Sequence, residues 1–135
     1  MSPPKVVVGA AILRGAGEQL QVLAAQRMLP PELAGMWEFV GGKVDEGEDE
    51  LQALHRECRE EIGVELAIGD RAGQDVAIGN AGFILRVWTA RITAGTPHPS
   101  EHSELRWLAL TQLYDVPWLP ADLPVVAAVR ALMEG

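Results

Sequence analysis

Between Gly42 and Val64 the chain reads GKVDEGEDELQALHRECREEIGV. Leu51, Leu54, Cys58 and Ile62 recur there at spacings of three and four, the period of a helix with one buried face. The pattern predicts a helix over about residues 48–62, stopped by Gly63, because glycine takes the left-handed conformation at little cost. Glu57, Glu60 and Glu61 fall together on another face, roughly 100° round from the apolar stripe, since positions i, i+3 and i+4 are neighbours on a helix. Like charges so placed destabilise a helix. A divalent cation is the usual group that offsets them, so the segment reads as one that docks by its apolar face and offers carboxylates to a metal.

Outward from this segment the pattern is mixed. Lys5 to about Leu13 is nearly continuously apolar and β-rich, as a buried strand is. A glycine-rich turn follows, and Leu20 to Arg27 returns as the second strand of a hairpin. Pro30 and Pro31 exclude helix from the next loop. Met36 to Val40 is a short strand, and Gly41 and Gly42 are expected to permit a sharp turn. Further strands are expected at about Asp75–Ile78, Phe83–Ile92 and Leu105–Leu110, and a final amphipathic helix from Val125 to Met133. This order of elements belongs to the mixed α/β class.

The 135 residues suffice for one domain with a proper core, taken as residues 1–135, and 48% hydrophobic content suits a globular chain. No apolar run reaches the roughly 18 residues of a membrane span. Met1 to Lys5 runs into Val6-Val7-Val8 without the pattern of a secretory leader. Cys58 is the single cysteine, which rules out an internal disulfide and fits a reducing, cytoplasmic setting. A net charge of −8 argues against binding nucleic acid through its phosphates. An acidic protein binds a small polyanion when cations bridge the two, which again favours a metal.

Five residues separate Gly42 from Glu48, and seven separate Glu48 from Arg56-Glu57-Cys58-Arg59-Glu60-Glu61-Ile62-Gly63-Val64. Position by position, this resembles the Nudix box of the Nudix hydrolases. Ala25-Gln26-Arg27, Trp37-Glu38-Phe39-Val40-Gly41-Gly42-Lys43 and Pro120-Ala121-Asp122 resemble the MutT-like branch, and within it the CTP pyrophosphohydrolases. Val40 departs from the proline common in MutT proteins, and Cys58 from the usual aliphatic residue. Asp122 stands where the 8-oxoguanine-directed enzyme carries Asn. The resemblance implies a Nudix fold, a mixed β-sheet sandwiched between helices (α-β-α). It implies hydrolysis of a nucleoside triphosphate to the monophosphate and pyrophosphate, with CTP and dCTP favoured. An 8-oxo-dGTP diphosphatase is the alternative reading, and a non-catalytic nucleotide-sensing module a second. Mg²⁺ is the implied cofactor, with Mn²⁺ as a substitute, because such cations take oxygen ligands shared between carboxylates and phosphates. A monomer and a homodimer are both compatible with the family.

By resemblance, Glu57, Glu60 and Glu61 are metal ligands, helped by the backbone carbonyl of Gly41, and Glu101 is a further ligand or base. Glu57 and Glu101 are both candidates for activating water with the metal. Gly42, Glu48, Arg56 and Gly63 shape the box, with Glu48 at the helix start favouring the dipole and Arg56 available to a carboxylate. Arg27 fits a phosphate clamp, because a guanidinium grips phosphate oxygens bidentately. It reads otherwise as a surface arginine at a strand end. Lys43 is a second phosphate candidate. Asp122 is a candidate base reader, since an ionised carboxylate accepts from the cytosine amine; it also stands where it would cap the last helix. Phe83 is either a stacking surface for the base or core. The four tryptophans read as core or cleft wall, and His55, His98 and His102 lack metal-ligand spacing and receive no catalytic role.

Overall fold

β1 (Lys5–Arg14) is apolar on both sides because both sides are covered. Successive strand side chains point to opposite faces. Val8, Ala10 and Ile12 enter one core, and Ala11 and Leu13 enter the other. The computed structural model describes residues 4–135. Residues 1–3, on which part of the leader-free reading rests, lie outside the described residues.

β1 pairs antiparallel with β4 (Val40–Lys43) and parallel with β7 (Phe83–Ala94), so the sheet is mixed. β5 (Glu65–Arg71) and β6 (Val76–Ile78) pair antiparallel with β7. β2 (Gln21–Arg27) returns from β1 as the expected hairpin, but the two pair only at Leu13↔Val22 and Arg14↔Gln21. β2 then veers away to lie between β3 (Trp37–Glu38) and β8 (His102–Ala109). α1 (Glu50–Ile62) covers one side with Ala53, Leu54, Cys58 and Ile62. α2 (Leu123–Glu134) covers the other with Val125, Val126, Val129 and Met133, packed with Trp37, Phe39 and Trp118. The expected helix–sheet–helix sandwich is what forms.

Several local expectations change. β5 was not anticipated: ELAIGDR carries three charges and a glycine, and only Leu66 in it is buried. α1 begins at Glu50, because Asp49 caps it. The Asp49 carboxylate accepts from the Gln52 amide at 2.8 Å and the Gln52 side chain accepts from the Asp49 amide at 2.9 Å, a reciprocal capping box. Glu48 therefore stands outside the helix. Leu51 is 44% exposed, and Ala53 takes the place in the core that the apolar stripe assigned to it. Pro31 opens a single 3₁₀ turn, Pro31–Leu33, in the loop expected to exclude helix; its missing N–H costs nothing at a first helical position. Gly63 ends α1 at φ 72°, as expected.

Gly41 and Gly42 do not turn. They lie in β4 with no left-handed φ. Glycine is needed there for space. A Cβ on Gly41 would stand 1.8 Å from the Val8 carbonyl oxygen, and one on Gly42 would stand 2.5 Å from the carboxyl carbon of Glu57. β4 is thus pressed between β1 and α1 at a distance only hydrogen allows. Gly41→Ala is expected to destabilise the fold by about 3 kcal/mol or more, because the clash is with backbone and cannot relax by rotamer change. Gly47→Ala, which meets no neighbour but has φ 82°, should cost only about 1 kcal/mol. Urea titrations of the two variants make the comparison.

Candidate active site

α1 lays its carboxylate face over β4. The space above Gly42 that a side chain would fill holds the Glu57 carboxylate, with oxygens 2.6 and 2.7 Å from the Cβ position. Arg56 organises the surroundings. Its Nε and Nη2 donate to the two oxygens of Glu48 at 2.8 and 3.0 Å, and Nη2 also donates to the Lys43 carbonyl at 3.1 Å. Its Nη1 donates to Glu57 at 2.9 Å and to Glu60 at 3.2 Å. Glu48 also accepts from the Asp45 amide at 3.0 Å, so it ties the loop to the helix rather than serving the helix dipole. These charge-assisted bonds hold the Glu48 acid below its usual range, with Arg56 the main cause. The like-charge repulsion on the helix is thus offset in part by the protein's own arginine.

Glu61 is differently placed. One of its carboxylate oxygens, Oε2, is buried without a hydrogen-bond partner. Burial first, then the charges of Glu57, Glu38 and Glu101, push its acid up to about 8. Burial also raises Glu57, against the pull of Arg56. Among the described residues no three His, Cys, Asp or Glu side chains converge into a ready-made metal centre, since Arg56 engages Glu57 and Glu60. The donors nevertheless suit a hard divalent cation: they are carboxylate oxygens, and one of them is buried and unpaired.

Two hollows adjoin Glu61. The first, about 370 Å³, is lined by Arg27, Gly41, Gly42, Lys43, Glu57, Glu61 and Asp122, with apolar walls from residues such as Phe39 and Leu119. The second, about 360 Å³, shares Arg27, Glu38 and Glu61 and adds Glu101 and His102. The structure therefore brings most of the expected site residues together. Glu60 lines neither hollow and its side chain is 59% exposed. Phe83 lines neither; its ring lies 5.0 Å from the Lys43 ammonium and 5.4 Å from that of Lys5. It thus backs Lys43 through a cation–π contact. Gly63 sits at the far end of α1 and acts on the box only by ending the helix.

Arg27 donates through Nη1 to Glu38 at 2.9 Å and through Nε to the Leu29 carbonyl at 2.9 Å. Glu38 lines both hollows and had drawn no role from the sequence, although it stands beside the glycines of β4. Asp122 is 5% exposed and makes no cap bond to α2. Its Oδ1 accepts from the Phe39 amide at 3.2 Å. Burial pushes its acid up to about 7, while the Phe39 amide and Arg27 pull down and Glu38 pushes up. Burial thus disfavours the ionised form, the one in which Asp122 is an acceptor only.

The description "NUDIX domain" matches residues 3–129. The chain belongs to the NUDIX family. It is accordingly an enzyme that hydrolyses phosphoric anhydrides, in a family generally dependent on Mg²⁺. A Mycobacterium tuberculosis relative named "Putative 8-oxo-dGTP diphosphatase 2" is 44% identical over 134 residues, covering 97% of this chain and 92% of the relative. The CTP pyrophosphohydrolase of Escherichia coli is 37% identical over 128 residues, covering 94% and 93%. The solution structure of the E. coli ORF135 protein matches with a TM-score of 0.78 at 35% identity, covering 96% of this chain and 91% of that one. The expected nearer likeness to CTP pyrophosphohydrolases is thereby corrected, since the mycobacterial relative shares more of the sequence. No helix among the described residues of this Nudix hydrolase is long and apolar enough to cross a membrane.

The unpaired Glu61 oxygen sets an expectation for stability. Mg²⁺ should raise the Tm of the wild type, because a ligand that binds only the folded state stabilises it. Glu61→Gln should abolish most of that gain, yet raise the Tm in EDTA by several degrees, because it removes the cost of burying an acid whose ionised form the site disfavours. Thermal melts of both proteins, each with Mg²⁺ and with EDTA, check both halves.

Proposed function

We propose that this Nudix hydrolase is a Mg²⁺-dependent nucleoside triphosphate pyrophosphohydrolase of the 8-oxo-dGTP diphosphatase type. The observation that carries the proposal is a single hollow lined at once by Glu57 and Glu61, by Arg27 and Lys43, and by the buried acid Asp122. In this reading Glu57, Glu60, Glu61, Glu101 and the Gly41 carbonyl would hold the cation. The bound metal would polarise phosphoryl oxygens and lower the pKa of water. Arg27, whose Nη2 makes no bond among the described residues, and Lys43 bind the phosphates. Glu57 and Glu101 are the two candidate proton acceptors for the attacking water. Glu48, Arg56 and Gly42 keep Glu57 in place, and Gly63 ends the helix that carries it.

The base assignment turns on Asp122. In its neutral form the carboxyl carries an O–H donor and a C=O acceptor side by side, as an asparagine amide carries N–H and C=O. Guanine offers O6 and N7 as acceptors, and oxidation at C8 converts N7 to an N–H donor. A neutral Asp122 complements that acceptor–donor pair. The replacement of Asn by Asp thus ceases to weigh against an oxidised guanine, and the 44% identical relative supports the same substrate class. A second reading, CTP or dCTP, is favoured by the 37% identical E. coli relative and by ionised Asp122 accepting from the cytosine amine.

A panel of nucleotides at matched concentration decides between them. The kcat/KM for 8-oxo-dGTP should exceed those for dGTP and dCTP by about 100-fold or more, as for a site whose polar groups must be paired. Near-equal or higher values for dCTP and CTP would transfer the assignment to cytidine nucleotides. Pyrophosphate release no greater with Mg²⁺ than the background seen in EDTA would instead indicate a module that only senses nucleotides. The titration of Asp122 adds a sign. Its acid lies at about 7, so the competent neutral form is lost as pH rises through that value. The activity of Asp122→Asn relative to wild type toward 8-oxo-dGTP should therefore climb between pH 6 and about 8.5. Under the cytidine reading wild-type activity gains on the variant over the same range. Glu57→Gln should fold with an unchanged Tm and lose about 100-fold or more in turnover.

A further inference from the structure

We propose that His102 is a positioning residue: it holds one oxygen of Glu38 so that Arg27 keeps an open edge for the substrate phosphates. The proposal rests on the reading of Arg27 as the phosphate clamp. It is carried by a β-bulge and by a chain of hydrogen bonds.

β2 pairs with β8 in regular antiparallel register up to Gln26↔Glu104, which would bring Ser103 opposite Arg27. Instead His102 stands opposite Arg27, and Ser103 is the extra residue of a bulge. Bulges re-aim side chains. Here Ser103 and Glu104 are both exposed, and His102 is turned inward to 6% exposure. The Ser103 hydroxyl fastens the bulge by donating to the Gln26 side-chain oxygen at 2.9 Å.

The inward imidazole meets Glu38. His102 Nε2 donates to Glu38 Oε2 at 3.0 Å, and Glu38 Oε1 accepts from Arg27 Nη1 at 2.9 Å. Nδ1 is buried with no partner among the described residues, and Nε2 faces a carboxylate, which accepts, so Nε2 is the nitrogen that donates. A carboxylate beside an arginine commonly pairs through both oxygens. At this position such a pair would consume Nη2, which a phosphate needs. His102 takes the second oxygen, so Glu38 restrains Arg27 through Nη1 alone. The Leu29 carbonyl holds Nε at 2.9 Å, Nη2 has no partner among the described residues, and Arg27 lines both hollows. His102 thereby acts two residues removed from the phosphate.

The test uses His102→Leu, His102→Asn and His102→Gln. Leucine fills the volume without a donor, asparagine is polar but too short to reach Glu38, and glutamine restores a reaching N–H. A crystal structure of free His102→Leu, or of His102→Asn if the first does not fold, is expected to show Arg27 and Glu38 joined through both oxygens. Persistence of the single Nη1 bond would overturn the proposal. With the substrate chosen by the nucleotide panel, the Leu and Asn variants should raise KM about tenfold, leave kcat within about twofold, and be rescued by Gln. In an Arg27→Ala background His102→Asn should have no further effect on KM, because the group it positions is gone. An undiminished effect there, or a wild-type KM in the folded Leu or Asn variant, would mark His102 as merely structural. A wild type inactive on every nucleotide would refute the functional reading, while the crystal structure would still decide the Arg27–Glu38 geometry.

Discussion

On either side of β4 the space that two side chains would need is already taken, by the Val8 carbonyl oxygen below Gly41 and by the Glu57 carboxylate above Gly42. That double exclusion sets how near α1 comes to β1, and so where its carboxylates stand. The apolar stripe of α1 supplies the driving force, since Ala53, Leu54, Cys58 and Ile62 are fully buried. The glycines decide the depth at which that burial stops. With any larger residue in β4 the helix would ride higher, and Glu57 would leave the wall of the hollow that it shares with Arg27 and Asp122.

Close approach brings an electrostatic cost that the protein meets in two ways. Around the outer half of the box, Arg56 pairs with Glu48, Glu57 and Glu60, and the loop and helix become one hydrogen-bonded unit. Deeper in, Glu61 and Asp122 form no ion pair with an arginine among the described residues, and burial raises both acids, to about 8 and about 7. A buried charge without a partner is unfavourable, so groups of this kind gain most from a ligand that carries the opposite charge or the matching donor. Stability is given up at the two acids proposed to face a cation and a base. Arg27 is the intermediate case: it is restrained by Glu38 and Leu29 yet keeps one edge open.

Much of this was legible in the chain. The strand–glycine–helix order, the Gly63 stop and the α/β class follow from periodicity and turn chemistry, which are local properties. The spacing of Glu57, Glu60 and Glu61 placed them on one face, and the resemblance to the MutT-like branch beyond the box singled out Arg27, Glu101 and Asp122. Local rules failed where a neighbour distant in sequence intervened. Leu51 obeys the helical period but is 44% exposed, and Ala53 is buried in its stead. Gly41 and Gly42 read as a turn because glycine is a turn former, whereas their reason is the approach of Val8 and Glu57. Glu48 reads as a dipole partner because it precedes the helix, whereas Arg56 captures it.

By itself the sequence determined which residues are able to form the elements, where the first helix stops, and which side chains are candidates for the chemistry, because those follow from backbone preference and side-chain type. Only the tertiary structure decided the burial of Asp122, the orphaned oxygen of Glu61 and the partnership of Arg27 with Glu38 and His102. Each of these depends on burial or on contact between strands far apart in the chain, with the Ser103 bulge setting which side chain faces inward. Desolvation and cross-strand register are properties of the packed molecule, and no stretch of residues carries them alone.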